Sequence, residues 1–234
     1  MSRGSGCCRA SRRSLGAGCS VPDAVRAPLP RGRFITLEGG EGAGKTTQVR
    51  RLAAALTEAG LPVLRTREPG GAPGAERIRS LLLSGGNWDP VAEAMLHFAA
   101  RREHLARTIQ PALAAGITVI SDRFADSTLA YQGAGQGLPR PVWEQLSAVA
   151  LEGFAPDLTL ILDLPPETGM ARAAGRGEPD RYERLGLGFH QRVREAFLAI
   201  AAAEPARCHV VNAARGADAV FADLRAIVFA RPAP

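Results

Sequence analysis

The chain has almost no lysine. Of its 29 basic side chains, 28 are arginine, and the single exception is Lys45. It also has no run of apolar residues approaching the roughly 20 needed to span a bilayer, which excludes a membrane anchor and predicts a soluble protein. Cysteine is nearly confined to the start. Cys7, Cys8 and Cys19 precede residue 33 and only Cys208 follows, so no disulfide framework can staple the fold, as expected of a cytoplasmic protein. Net charge is missing from the body as well. Residues 1–33 hold seven arginines against Asp23 alone and account for the formal +6; from Phe34 onward 22 basic residues balance 22 acidic ones. A neutral body argues against a nucleic-acid partner.

The first 32 residues are rich in Ser, Arg, Gly and Pro and poor in large apolar side chains, so they are expected to form a disordered basic extension. An Arg- and Ser-rich, acid-poor start is also the composition of an organelle transit peptide. A secretory signal is excluded by the missing apolar stretch. A plain unstructured extension, or a start codon placed too early, is the simpler reading, because nothing else in the chain points to an organelle.

What the sequence does contain is a glycine loop. Gly39, Gly40, Glu41, Gly42, Ala43, Gly44, Lys45 and Thr46 satisfy G-x-x-x-x-G-K-[ST] at every fixed position. The β-rich run Arg33–Glu38 enters it, and a helical stretch from Lys45 to Ala59, closed by Gly60, leaves it. This is the context a phosphate-binding loop requires: backbone N–H groups and a helix N-terminus turned toward a phosphate. Lys45 would then bridge the β- and γ-phosphates of a nucleotide and the Thr46 hydroxyl would bind Mg²⁺, with Thr47 behind it. A compact ammonium fits inside such a loop where a broad guanidinium does not.

Further strands are expected at Pro62–Thr66, Ile117–Ile120, Leu158–Leu162 and His209–Val211. Helices are expected at Ala75–Leu83, Val91–Ala115, Pro141–Leu151 and Pro166–Ala174, then along a long segment to Ala203, and at Ala217–Phe229. Apolar strands alternating with helices predict an α/β fold of the P-loop NTPase type, a five-stranded parallel sheet with helices on both faces. One domain, residues 33–234, would carry it, with a short mobile lid at about residues 172–188. The sole lysine excludes the guanine-reading N-K-x-D of a signalling GTPase. Chain length and arginine content point instead to a small nucleotide kinase.

Several segments together identify a family. FITLEGGEGAGKTT (Phe34–Thr47), TREPGG (Thr66–Gly71), SDRFADSTLAYQG (Ser121–Gly133), RGEPDRYE (Arg176–Glu183) and FHQRVR (Phe189–Arg194) resemble bacterial thymidylate kinases from Phe34 to the C-terminus. The resemblance implies ATP and Mg²⁺ as cofactors, dTMP as the small-molecule substrate and a homodimer, for which the helices starting at Val91 and Pro141 are candidate interface elements. It places Arg123 and Arg101 on the acceptor phosphate, Asp122 near the metal with Thr46, and Pro69 of TREPGG at the substrate. Thr128, Tyr131 and Gln132 stand at i, i+3 and i+4 and would share a helical face. There Thr128 and Gln132 would hydrogen-bond a pyrimidine edge, and Tyr131 would pack on the sugar.

His97, i−4 from Arg101, occupies the position where relatives carry a ring that stacks on thymine. It departs from their Phe or Tyr, and Phe98 is the alternative. Glu41 would reach the acceptor 3′-hydroxyl. Because the loop holds no arginine, the resemblance implies that catalytic charge comes from the lid: Arg176 first, Arg172 second, with Asp180 and Glu183 latching it over substrate. Asn212, after the last strand, is a candidate contact for the adenine edge. Two rival readings are a kinase for another nucleotide or nucleoside, and a P-loop switch protein. On any kinase reading Lys45→Arg, usually conservative, belongs among the most damaging single changes to turnover, and steady-state kcat checks it.

Overall fold

The computed structural model describes residues 31–174 and 181–230. Five strands, β1 (Phe34–Glu38), β2 (Val63–Arg67), β3 (Thr118–Asp122), β4 (Leu158–Asp163) and β5 (Cys208–Asn212), form one sheet in the order β2-β3-β1-β4-β5. All neighbouring pairs are parallel, as expected. β1, β3 and β4 occupy the centre, and their side chains are buried on both faces apart from the strand-end aspartates. This is why their sequences read as unbroken apolar runs rather than alternating ones. The threonines that interrupt them pair off: Thr36 Oγ1 lies 2.9 Å from Thr159 Oγ1 in the register of β1 with β4.

On one face, α1 (Lys45–Glu58) and α9 (Ala217–Ala230) cover Ile35, Leu37, Ile120, Leu160 and Val211 with Leu52, Leu56 and Leu224. On the other, Phe34, Val119 and Phe124 pack beneath Leu105, Ile109 and Leu113, while Ile161 meets Phe197 and Val193 of α8 (Leu187–Ala203). The remaining helices are α2 (Pro73–Leu83), α3 (Pro90–His104), α4 (Gln110–Ala114), α5 (Ala125–Thr128), α6 (Arg140–Leu151) and α7 (Pro166–Ala174). Among the described residues no helix is long and apolar enough to cross a membrane. Ahead of β1, Arg31 bonds Asp157 at 2.9 Å and the Gly32 N–H reaches the Leu113 carbonyl, so these two residues are docked on the domain.

Two helical segments differ from expectation. The expected helix Val91–Ala115 starts one residue earlier, because Asp89 caps it by accepting the N–H groups of Val91 and Ala92 and Pro90 fills the first turn. It also widens into a π-helical turn at Leu105–Ile109, where the Gln110 N–H bonds the Leu105 carbonyl five residues back. Pro111, lacking an N–H and crowding the carbonyl four residues before it, accounts for the widening. A second π-helical turn, Leu129–Gly135, continues α5.

Candidate active site

Parallel order brings the carboxyl ends of β1 and β3 side by side, with Leu37 opposite Asp122, and ligands of open α/β sheets bind at such strand ends. The phosphate loop leaves β1 there. Gly44, with φ 91, stands at the N-cap of α1. Gly42, with φ 68, lies so close to Gly169 of α7 that a Cβ would sit 2.0 Å from the Gly169 carbonyl oxygen. Lys45 is buried and donates to the carbonyls of Gly39 at 3.0 Å and Gly40 at 2.8 Å. Burial and the nearby Arg123 charge both lower its pKa from the ordinary lysine value. Ala43 turns its methyl into the core. At the head of α1 the Thr46 hydroxyl donates to Asp122 Oδ2 at 2.6 Å. A hydroxyl and a carboxylate converging beside a phosphate loop are hard oxygen donors of the kind Mg²⁺ takes, so these two residues fit that ion.

The next turn is fully accounted for by hydrogen bonds. Arg123 has φ 73, an unusual conformation for a residue with a side chain. Its N–H reaches the Leu37 carbonyl and its own carbonyl accepts from Ser121 Oγ at 2.8 Å. Phe124 N–H donates to Glu38 Oε1 at 2.7 Å, and the Ser127 hydroxyl lies 2.6 Å from Glu38 Oε2. So positioned, the Arg123 guanidinium donates to Glu41 at 2.6 Å, Tyr131 OH at 2.9 Å, the Gly39 carbonyl at 3.1 Å and Ser127 at 3.2 Å. Tyr131 in turn donates to Glu41 at 2.6 Å. Burial pushes the Glu41 carboxyl up, but Arg123, Lys45 and the Tyr131 bond outweigh it and bring the pKa to about 2. For Arg123 burial works against the charge and the Glu41 carboxylate prevails, raising its pKa.

These residues open onto a cleft of about 310 Å³. Lys45, Thr46, Thr47, Pro69, His97, Arg101, Asp122, Arg123, Thr128, Tyr131, Gln132 and Glu183 all line it, together with Glu41, Gly42 and Gly44. The spacing expected of a helical face therefore brings Thr128, Tyr131 and Gln132 to one wall, although the segment is partly π-helical. Arg101 is 2% exposed: Nε donates to Glu68 at 2.7 Å, Nη2 to Thr128 Oγ1 and to the Phe124 carbonyl at 3.0 Å, and Nη1 has no partner among the described residues. A buried chain stands behind it. Thr66 Oγ1 lies 2.6 Å from His104 Nε2, and His104 Nδ1 lies 3.0 Å from the other oxygen of Glu68. His97 Nε2 lies 3.0 Å from the Tyr182 hydroxyl, and burial followed by the Arg101 charge brings its pKa down to about 4, so the ring is neutral at neutral pH.

Three expected site residues are engaged away from the cleft. Phe98 is not at the cleft. One helical step of about 100° from His97 turns it toward α6, where it packs edge-on against Trp143 and lies under the Arg101 guanidinium. Arg172 does not line the cleft either; it donates to the carbonyls of Ala213 and Ala214 beyond β5. Asn212 uses its side-chain oxygen to accept the Ala214 N–H and so closes its own turn. Arg176 and Asp180 lie outside the described residues. Sequence reasoning passed over Glu38, Arg67, Glu68, Arg79, Ser127 and Tyr182. Glu68 and Tyr182 stand inside the family segments TREPGG and RGEPDRYE, which was the available signal; Arg79 on α2 had none.

A phosphate loop opening onto a cleft walled by four arginines, Arg67, Arg79, Arg101 and Arg123, is that of a P-loop phosphotransferase with an anionic acceptor. The thymidylate kinase family profile matches residues 37–224. Thymidylate kinase of Caulobacter vibrioides is 53% identical over 205 residues, covering 87% of this chain and 99% of the relative. Thymidylate kinase of Deinococcus radiodurans is 48% identical over 204 residues, with 87% and 99% covered. The crystal structure of thymidylate kinase from Ehrlichia chaffeensis superposes with a TM-score of 0.71 at 35% identity, covering 85% of this chain and all of that one. The chain belongs to the thymidylate kinase family.

Glu38 generates a test of the site's electrostatics. Burial, and next the Asp126 charge, raise its pKa from 4.5 to about 8, against the opposing bonds from Ser127 and Phe124. A carboxyl protonated in the fold and ionised when unfolded contributes stability that is full below 4.5 and is lost as pH rises to about 8. Glu38→Gln keeps a neutral side chain of the same shape. Its melting temperature should therefore fall less than the wild type's across that pH range; parallel melting curves would refute the assignment.

Proposed function

We propose that this chain transfers the γ-phosphoryl group of ATP to dTMP, giving ADP and dTDP, in the supply of dTTP. The observation that carries this is the junction of Glu41, Arg123 and Tyr131, where the phosphate loop and the acceptor cleft share one hydrogen-bonded group. A phosphate oxygen of dTMP attacks the γ-phosphorus as the bond to the β-phosphate oxygen breaks. That nucleophile is already largely ionised at neutral pH, since a second phosphate pKa is about 6, so no general base is required. Lys45 holds the donor phosphates, with the glycine-loop N–H groups around them. Thr46 and Asp122 would hold Mg²⁺, which would supply neutralisation of phosphate charge. Arg123 holds the acceptor phosphate, and Glu41 and Tyr131 meet the sugar.

Two residues are reassigned in this reading. Arg101, bonded to Thr128 and Glu68 and away from the loop, is assigned to the base rather than to the phosphate, with its unpartnered Nη1 as the donor. Arg172, bound beyond β5, is assigned to the donor-base end. The catalytic cation is then Arg176, in a lid running to about residue 188 that carries Asp180 and Glu183. His97, neutral and on the cleft wall, takes the stacking position. A cytoplasmic homodimer completes the reading: Met95 on α3 and Val149 on α6 are 53% and 79% exposed, and light scattering in solution tests it. The basic N-terminal extension is proposed to take no part in catalysis.

With ATP and a panel of nucleoside monophosphates, dTMP should show the highest kcat/KM. A preference for dUMP, or ATP turnover without acceptor, would overturn the reading. Arg176→Ala should lower kcat by about 10³–10⁵ with little change in KM for dTMP, the cost of an arginine finger. A near-normal kcat would remove Arg176 from the transfer step.

A further inference from the structure

Glu93 is a charged residue with no exposed surface, set on α3. Four donors converge on it. Gln132 Nε2 at 2.8 Å, Gln136 Nε2 at 3.1 Å and the Tyr182 hydroxyl at 2.7 Å meet Oε1; Arg181 Nη2 meets Oε2 at 2.6 Å. Burial alone would push its pKa up, but these bonds outweigh burial and hold it below the ordinary carboxylate value. Glu93 is therefore an ionised carboxylate, and a carboxylate only accepts.

This has a consequence for Gln132. The two ends of an amide have opposite hydrogen-bonding sense, and they are hard to tell apart by shape. Against a carboxylate the choice is forced: only the NH₂ end can face Glu93. The second N–H of that group points to the Tyr182 hydroxyl at 3.4 Å. Oε1 is left without a partner among the described residues, on a side chain that lines the cleft.

We infer that Glu93 fixes which end of the Gln132 amide meets the nucleobase, so that the site presents an acceptor and selects pyrimidines that carry a ring N–H. Thymine and uracil have that N–H at N3; cytosine has a lone pair there, which an amide oxygen repels. Glu93 is thus a positioning residue acting through Gln132, and it excludes cytosine-type bases without touching substrate. The inference rests on the reading above, in which Gln132 and Thr128 face the base. Tyr182 completes the arrangement: by donating to Glu93 it must accept from Gln132 and from His97 Nε2, which ties the stacking residue to the same network.

The test compares dCMP with dUMP, which both lack the 5-methyl group, in wild type and in Glu93→Gln. A glutamine at 93 both donates and accepts, so the Gln132 amide is free to turn. The dCMP:dUMP ratio of kcat/KM should rise roughly ten- to hundredfold, the discrimination expected of one buried hydrogen bond of the right or wrong sense. An equal fall for both substrates would reduce Glu93 to a structural anchor and overturn the inference.

Wild-type protein gives an independent answer should the variant fold poorly. The N3–H of 5-fluoro-dUMP is more acidic than that of dTMP. Its affinity should weaken as pH rises through its own ionisation, with dTMP measured at each pH as control. Affinity that strengthens there would mean a donor faces N3 and would equally overturn the inference. If wild type phosphorylates none of these acceptors, including dTMP, the proposed activity fails instead.

Discussion

The ion pair between Glu41 and Arg123 holds the two halves of the site together. One partner comes from the loop after β1 and the other from the turn after β3, strands that touch only because the parallel sheet places them side by side. Both groups are drawn out of water, and each is kept charged by the other. A pair of this kind adds little net stability over a well-packed apolar contact, but removing one partner leaves the other charge unpaired at a partly desolvated site. The catalytic loop and the acceptor cleft are therefore built as one object.

The same device recurs outward from that centre. Glu68 carries Arg101, Glu93 carries Arg181, and Asp126 takes both Nη groups of Arg207, at 2.7 and 2.9 Å. Arginine suits these places better than lysine, because a planar fork can satisfy two or three acceptors at fixed angles while remaining charged. The balance of 22 basic against 22 acidic residues in the body thus has a structural counterpart in carboxylate–guanidinium pairs formed within the fold. In an arginine-rich chain a basic surface does not follow from the count.

Much of this architecture was legible in the sequence, and the rest was not, for identifiable reasons. The central strands could be read because burial on both faces leaves continuous apolar runs, and the phosphate loop because its fixed glycines, Gly39 and Gly44, take φ values of 134 and 91 that favour glycine. Local spacing also placed His97 with Arg101, and Thr128 with Gln132. The start of α3 was placed one residue late, at Val91, although Asp89 followed by Pro90 is a helix-entry signal. The π-helical turn at Leu105–Ile109 was not legible, because its cause is a mismatch between Pro111 and the helix around it. Nor were the buried carboxylates. Glu38 meets Ser127, and Glu93 meets Gln132 and Tyr182, over separations of 89, 39 and 89 residues, which no local pattern encodes. The misplacement of Arg172 and Phe98 has a common origin: membership of a motif or a helix turn was read as orientation.

The solitary lysine has one more consequence. Apart from the chain terminus, Lys45 Nζ is the only primary amine in the sequence. Amine-directed acylating reagents thus have a single side-chain target in this protein, and it lies at the phosphate loop, with a pKa depressed toward the range in which an amine becomes nucleophilic. A covalent label placed there would report directly on whether nucleotide phosphates shield that nitrogen, with no background from the rest of the fold.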